Sequence, residues 1–180
     1  NLFVTLVDDI NLNGKIIKEG IDEVADFLPL FRGNYAVTSD DDKPKLWIPV
    51  LAENKIEELK KIYEFVTPDE ICPIFPSPSL NPRRADNLLL EYREILFDTW
   101  GIDTKNIIYA SESNPFEVYS QIIKAVDYYN RALFPLGGCK VALTCLSSKL
   151  LSIGTLLASY ELYRIKEKTV ALAHIDGASF

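Results

Sequence analysis

The sequence predicts an α/β fold in which a mostly parallel sheet of about five or six strands carries helices on both faces. Short apolar, β-branched runs alternate along the chain with longer segments of helical periodicity. In addition, residues 141–146 and 170–173 form apolar runs, which is typical of central parallel strands buried on both faces. The composition, with 48% apolar and 25% charged residues, is that of a globular protein and excludes collagen-like and disordered classes.

The strands are predicted from apolar and β-branched runs that are bounded by turn-forming residues. The first run ends where Asp8 and Asp9 begin, and Pro49 lies inside the third, where it cannot donate a hydrogen bond to the sheet. In chain order the runs cover residues 2–7, 35–37, 46–51, 71–75, 106–110, 141–146 and 169–175.

The helices are predicted where apolar residues recur every three or four positions. The segments are residues 21–31, a helix that starts after Asn54, residues 86–100, a helix that starts at Pro115, and residues 148–165. Asn54 is the predicted N-cap of the second segment, and Asn114 or Ser113 that of the fourth. The last segment is apolar nearly all round, which predicts deep burial, and Gly154 would let it pack closely on the sheet.

The chain of 180 residues has the size of a single α/β domain, which we assign to residues 1–180. It begins at Asn1 and contains no methionine, so we expect it to be a fragment or one domain of a longer protein. Strands alternating with helices make it similar, in a general sense, to three-layer Rossmann-like ligand-binding domains. That resemblance extends to the fold and does not assign a function.

The net charge and the cysteine content argue against several classes of function. A formal charge of −7 disfavours unspecific nucleic-acid binding, which depends on basic surface. Three cysteines without a CxxC pair, and a single histidine, argue against a disulfide framework and a metal site. Because the cysteines lack a disulfide pattern, we expect a reduced, cytoplasmic protein. No apolar stretch is long enough to span a membrane.

Candidate ligand-binding residues follow the predicted strands, because ligands of open parallel sheets bind beyond the carboxyl ends of the strands. Ser147, Ser148 and Lys149 form a short turn between a strand and a helix, where free backbone N–H groups favour phosphate or carboxylate. The alternative is that the two serines only cap a buried helix. Glu53 follows an earlier strand and receives no specific role.

A proline-rich loop, residues 76–84, supplies a second group of candidates. Its stiffness would hold the polar side chains Ser77, Ser79, Asn81, Arg83 and Arg84 in place, and either arginine could bind a phosphate through two hydrogen bonds. Alternatively, the loop is a rigid connector whose arginines pair with Asp86 or Glu91 on the next helix.

Acidic residues at strand ends form the third group. Glu112 could accept a ribose hydroxyl beside Asn114, or it could be a solvated carboxylate at a helix N-terminus. Together with Asp9 and Asp176 it is a candidate acid, base or ligand of Mg²⁺ bound with a phosphorylated substrate. A Cys145–His174 nucleophile is disfavoured, since a cysteine inside an apolar strand is usually inert.

These patterns support a ligand-binding or sensing domain that holds a nucleotide or another phosphorylated small molecule at the carboxyl edge of the sheet. Two alternatives remain open. One is a hydrolase or transferase acting on a nucleotide or phosphoester through the acidic residues. The other is an assembly domain that forms a homodimer or contacts a partner domain through Tyr128, Tyr129 and Phe134.

Overall fold

The computed structural model describes residues 24–33, 35, 43–165 and 170–175. The predicted strand at residues 2–7 and the candidate residues Asp9 and Asp176 lie outside the described residues, as does most of the run at 35–37.

The described residues form an α/β structure with a seven-stranded sheet. The strands are β1 (Ala25–Phe27), β2 (Lys45–Val50), β3 (Glu70–Ile71), β4 (Ile74–Pro76), β5 (Ile108–Ala110), β6 (Lys140–Cys145) and β7 (Val170–Ile175). The α-helices are α1 (Ile56–Val66), α2 (Arg84–Arg93), α3 (Pro115–Ala132) and α4 (Lys149–Tyr160). A π-helical turn continues α2 through Glu94–Thr99, and another continues α4 through Glu161–Ile165.

The strand order is β1-β7-β6-β2-β4-β5, with β3 also paired to β2. The pairs β2–β6, β2–β4, β4–β5 and β6–β7 are parallel, whereas β1 lies antiparallel to β7 at one edge. The predicted α/β class and mostly parallel sheet are therefore confirmed. The predicted number of strands is corrected to seven in a mixed sheet, because β1 adds an antiparallel strand and residues 72–73 divide one predicted strand into β3 and β4.

Two predictions for residues 21–54 are wrong. Within the predicted helix 21–31, Ala25–Phe27 is a strand, because its backbone pairs with β7 and Phe27 packs into the core. Such tertiary pairing overrides a weak helical periodicity. Asn54 is not the N-cap of α1: it adopts a left-handed conformation with φ of 60°, and Lys55 takes the cap position.

The core consists of two clusters of buried side chains, one on each side of β2. Leu46 and Ile48 belong to the cluster that includes residues of α3 and α4, whereas Trp47 belongs to the cluster that includes residues of α1 and α2. This alternation follows from the strand geometry, in which successive side chains point to opposite faces. The indole Nε1 of Trp47 donates a hydrogen bond of 3.0 Å to Oγ1 of Thr144, and both residues are fully buried.

Replacing Thr144 with valine is expected to lower the free energy of unfolding by about 1–2 kcal/mol, because the buried indole N–H loses its acceptor. Denaturant unfolding measures the change. In a Trp47→Phe background, where no N–H remains to be satisfied, the same substitution should cost clearly less. Equal costs in the two backgrounds would show that this hydrogen bond does not stabilise the core.

Helix α4 packs more closely on α3 than on the sheet at Gly154. A Cβ atom at this position would lie 2.2 Å from the carbonyl oxygen of Pro115 and 3.2 Å from Cβ of Val118. The prediction that α4 is deeply buried all round is wrong. On its outer face, Leu156, Leu157 and Tyr160 are about half exposed. The reason is that α4 is covered by the sheet and by α3 on one side only.

The residues predicted for subunit contact lie near the end of α3. Tyr128 and Phe134 are exposed, whereas Tyr129 is partly buried and packs against the core cluster that contains Cys72. Among the helices of the described residues, none combines enough length and apolar character to cross a bilayer.

Candidate functional site

The loops that follow β2 and β6 begin side by side at the carboxyl edge of the sheet. Val50 is in register with Cys145 of β6 on one side and with Ile74 of β4 on the other. The N–H of Leu146 donates to the Val50 carbonyl, which extends this pairing into the loop. Strands β4 and β5 lie on one side of β2, while β6 and β7 lie on the other side. The strand order thus reverses between β2 and β6, which is where open α/β sheets leave a crevice.

The serine–lysine turn at residues 147–149 borders this point of reversal. Ser148 is the N-cap of α4: its Oγ accepts a hydrogen bond of 3.3 Å from the N–H of Leu151. This capping role, proposed from the sequence as the alternative, takes up the Ser148 side chain. The Oγ of Ser147 is buried and has no hydrogen-bond partner among the described residues, and Lys149 is exposed.

The loop at residues 76–84 is held by its own hydrogen bonds. The Oγ of Ser79 accepts from the N–H of Asn81, whose Oδ1 in turn accepts from the N–H of Arg83. Backbone bonds also tie the loop to the end of β5 and to the loop after it: the N–H of Ser77 donates to the Ala110 carbonyl, and the N–H of Glu112 donates to the Pro78 carbonyl. The side chains of Ser79 and Asn81 therefore shape the turn, while Arg83 is exposed to solvent.

Arg84 is buried and paired with two carboxylates from other loops. Its Nη2 lies 2.7 Å from Oε2 of Glu53, which follows β2, and its Nη1 contacts Oε1 of Glu112, which follows β5. The partners suggested by sequence, Asp86 and Glu91, are not the ones it uses. A single guanidinium thus links the loops that follow three neighbouring strands, while its Nε is buried and has no hydrogen-bond partner among the described residues.

The loop after β5 places its polar groups in different environments. Glu112 is only 2% exposed, and its Oε2 has no hydrogen-bond partner among the described residues. Its backbone N–H donates to the carbonyl of Pro78. Asn114 caps α3, as the sequence predicts, by accepting from the N–H of Phe116. Glu112 is therefore a buried partner of Arg84 and not a solvated carboxylate, and this burial gives no support to a role in acid–base chemistry on an external substrate.

Glu53 has the more accessible carboxylate of the two that pair with Arg84. Its side chain is 34% exposed, and its Oε2 is paired with Arg84, whereas Oε1 makes no hydrogen bond or ion pair with a described residue. Next to it, the N–H of Asn54 donates to Oε1 of Glu91, and burial together with the negative charge of Glu53 raises the pKa of Glu91. The position of Glu53 after β2 predicted that it lies at this edge. The sequence did not indicate its ion pair with Arg84, because Arg84 is 31 positions away.

The structure gives no support to a cysteine nucleophile. Burial raises the pKa of the Cys145 thiol, only partly offset by a hydrogen bond from the Ser152 hydroxyl, 3.4 Å from the sulfur. The thiol is thus protonated and unreactive near neutral pH. Within the described part of the chain, no group of three or more histidine, cysteine or acidic residues is arranged to hold a metal ion.

A cavity of about 920 Å³ lies at the opposite end of the sheet. Glu70, Ile71 and Cys72 line it together with Asn106 and Ile108, at the start of β3 and of β5. It is therefore separate from the carboxyl edge, where the turn at residues 147–149 and the Arg84 ion pairs lie.

Comparison with known proteins adds no family to these observations. No protein family matches this sequence, and no curated protein proved similar to it.

Proposed function

We propose that this chain is a ligand-binding or sensing domain of three-layer Rossmann-like arrangement. It holds a nucleotide or another phosphorylated small molecule at the carboxyl edge of the sheet, between β2 and β6. The strand order supports the place, since the reversal between these two strands is where such sheets bind ligands.

The observation that carries the proposal is the buried Oγ of Ser147, which has no hydrogen-bond partner among the described residues. Buried polar groups are almost always paired, so an orphaned hydroxyl calls for a partner that is not yet there. Ser147 directly precedes the N-cap of α4, and the partial positive charge of a helix N-terminus favours an anion. Lys149, the first residue of α4, is exposed and carries a full positive charge.

This proposal assigns different roles to the residues predicted from sequence. Ser147 and Lys149 contact the anionic group, while Ser148 holds the helix N-terminus in place. The exposed Arg83 is free to approach the ligand from the loop after β4. Ser77, Ser79, Asn81, Arg84 and Asn114 shape the surrounding loops through the hydrogen bonds and ion pairs described above.

Replacing Lys149 with glutamine is expected to weaken the binding of adenosine 5′-monophosphate roughly tenfold, because one charge-assisted contact to the phosphate is lost. Binding should also become less sensitive to salt. Isothermal titration calorimetry at two salt concentrations measures both effects.

The matched control is Lys60→Gln, which makes the same change in net charge on the exposed side of α1, where Lys60 pairs with Glu57. This variant should bind as the unaltered protein does. If a panel of nucleotides and sugar phosphates gives no heat of binding and no thermal shift with the unaltered protein, the proposed function is wrong.

A further inference from the structure

Glu53 presents one carboxylate oxygen at the same edge of the sheet. Its Oε2 is fixed 2.7 Å from Nη2 of Arg84, while its Oε1 has no partner among the described residues and the side chain is 34% exposed. Val50 and Cys145, the last residues of β2 and β6, are in register. Glu53 is the third residue after Val50, and Ser148 is the third residue after Cys145. Adjacent strands are about 4.8 Å apart, so the loops that carry these two residues start as neighbours.

The orientation of Arg84 is fixed by a second ion pair, with Glu112. Arg84 is 8% exposed, and Glu112 is 2% exposed. A buried carboxylate therefore orients a buried guanidinium, and the guanidinium orients the more exposed carboxylate of Glu53. Such an arrangement fixes the direction of a binding group before a ligand arrives, which lowers the entropy lost on binding.

The charge around Glu53 determines what kind of group it could receive. Two carboxylates face one guanidinium here, and Glu91 lies close enough for Glu53 to affect its protonation. This part of the edge is thus net negative, and a second phosphate would be repelled. A carboxylate oxygen without a partner instead accepts hydrogen bonds, and neutral hydroxyl groups donate them without adding charge.

We infer that Glu53 accepts hydrogen bonds from hydroxyl groups of the ligand, and that the ligand is a phosphorylated molecule with adjacent hydroxyls, such as a ribose phosphate. The inference rests on the proposed function, since it takes the phosphate to lie at residues 147–149. Arg84 and Glu112 are positioning residues for Glu53 and do not touch the ligand.

The test compares adenosine 5′-monophosphate with its 2′,3′-dideoxy analogue by titration calorimetry. The unaltered protein should bind the hydroxylated nucleotide roughly tenfold more tightly. In Glu53→Gln this ratio should fall to about one, because a neutral amide oxygen accepts a hydroxyl less strongly than a carboxylate does. The dideoxy analogue should bind Glu53→Gln as well as before or slightly better, since a negative charge near the phosphate has been removed.

The control is Glu57→Gln on α1, which removes a carboxylate paired with Lys60 and should leave the ratio unchanged. A ratio near one for the unaltered protein, or an unchanged ratio in Glu53→Gln, would overturn the inference while leaving the phosphate site intact. If neither these two nucleotides nor any other nucleotide or sugar phosphate of the panel binds, the proposed function fails and this inference fails with it. A ratio near one in the unaltered protein overturns the inference whether or not Glu53→Gln folds.

Discussion

Replacing Arg84 with methionine is expected to lower the free energy of unfolding by about 3–5 kcal/mol, as the loss of one partner from a buried ion pair does. The substitution keeps an apolar stem of similar length but leaves Glu112, which is 2% exposed, without its cation. Urea denaturation followed by circular dichroism measures the change. The cost is large because the remaining carboxylate stays buried in the native state and is hydrated only on unfolding.

Two further variants separate this effect from the loss of any arginine. Arg83→Met, at the neighbouring exposed position, should change the free energy of unfolding by less than about 0.5 kcal/mol. Adding Glu112→Gln to Arg84→Met removes the isolated charge and should recover part of the lost stability. If Arg84→Met and Arg83→Met lower the free energy of unfolding equally, the ion pairs of Arg84 with Glu53 and Glu112 do not stabilise this edge of the sheet.

Replacing Gly154 with alanine is expected to destabilise the protein by about 2–3 kcal/mol, although alanine favours helices. The new Cβ would lie 2.2 Å from the Pro115 carbonyl oxygen, and the obstacle is backbone that cannot rotate away. Helices α3 and α4 must therefore move apart. Thermal unfolding should show a lowered midpoint, and the turn at residues 147–149 should shift with the start of α4.

The control for this substitution is Leu156→Ala on the same helix, where the side chain is 45% exposed and little packing is lost. It should cost clearly less than Gly154→Ala. A neutral or stabilising effect of Gly154→Ala would contradict the close contact between the two helices.

Short-range signals in the sequence predicted the elements whose structure depends on neighbouring residues. Apolar runs predicted β2, β6 and β7 to within one or two residues. Local chemistry predicted the start of α3, where Asn114 caps the helix and Pro115 occupies its first position, and the end of the 86–100 segment, where Gly101 has a φ of +66°. These features follow from backbone preferences that act over a few positions.

Long-range pairing was not visible in the sequence. Ala25–Phe27 is a strand only because β7 lies beside it, and Arg84 is buried only because Glu53 and Glu112 reach it from other loops. The alternation of strands and helices was enough to predict that the candidate residues lie at the carboxyl edge of the sheet. Which of them are bound to each other, and which remain open to a ligand, required the strand order and the side-chain contacts.

A chemical-shift map of the backbone amides during titration with adenosine 5′-monophosphate would show whether a phosphorylated ligand binds between β2 and β6. We expect saturable shifts concentrated at Glu53, Asn54 and residues 147–149, on either side of the β2–β6 boundary. The absence of shifts, or shifts confined to the cavity at the opposite end around Glu70 and Cys72, would contradict the proposed binding site.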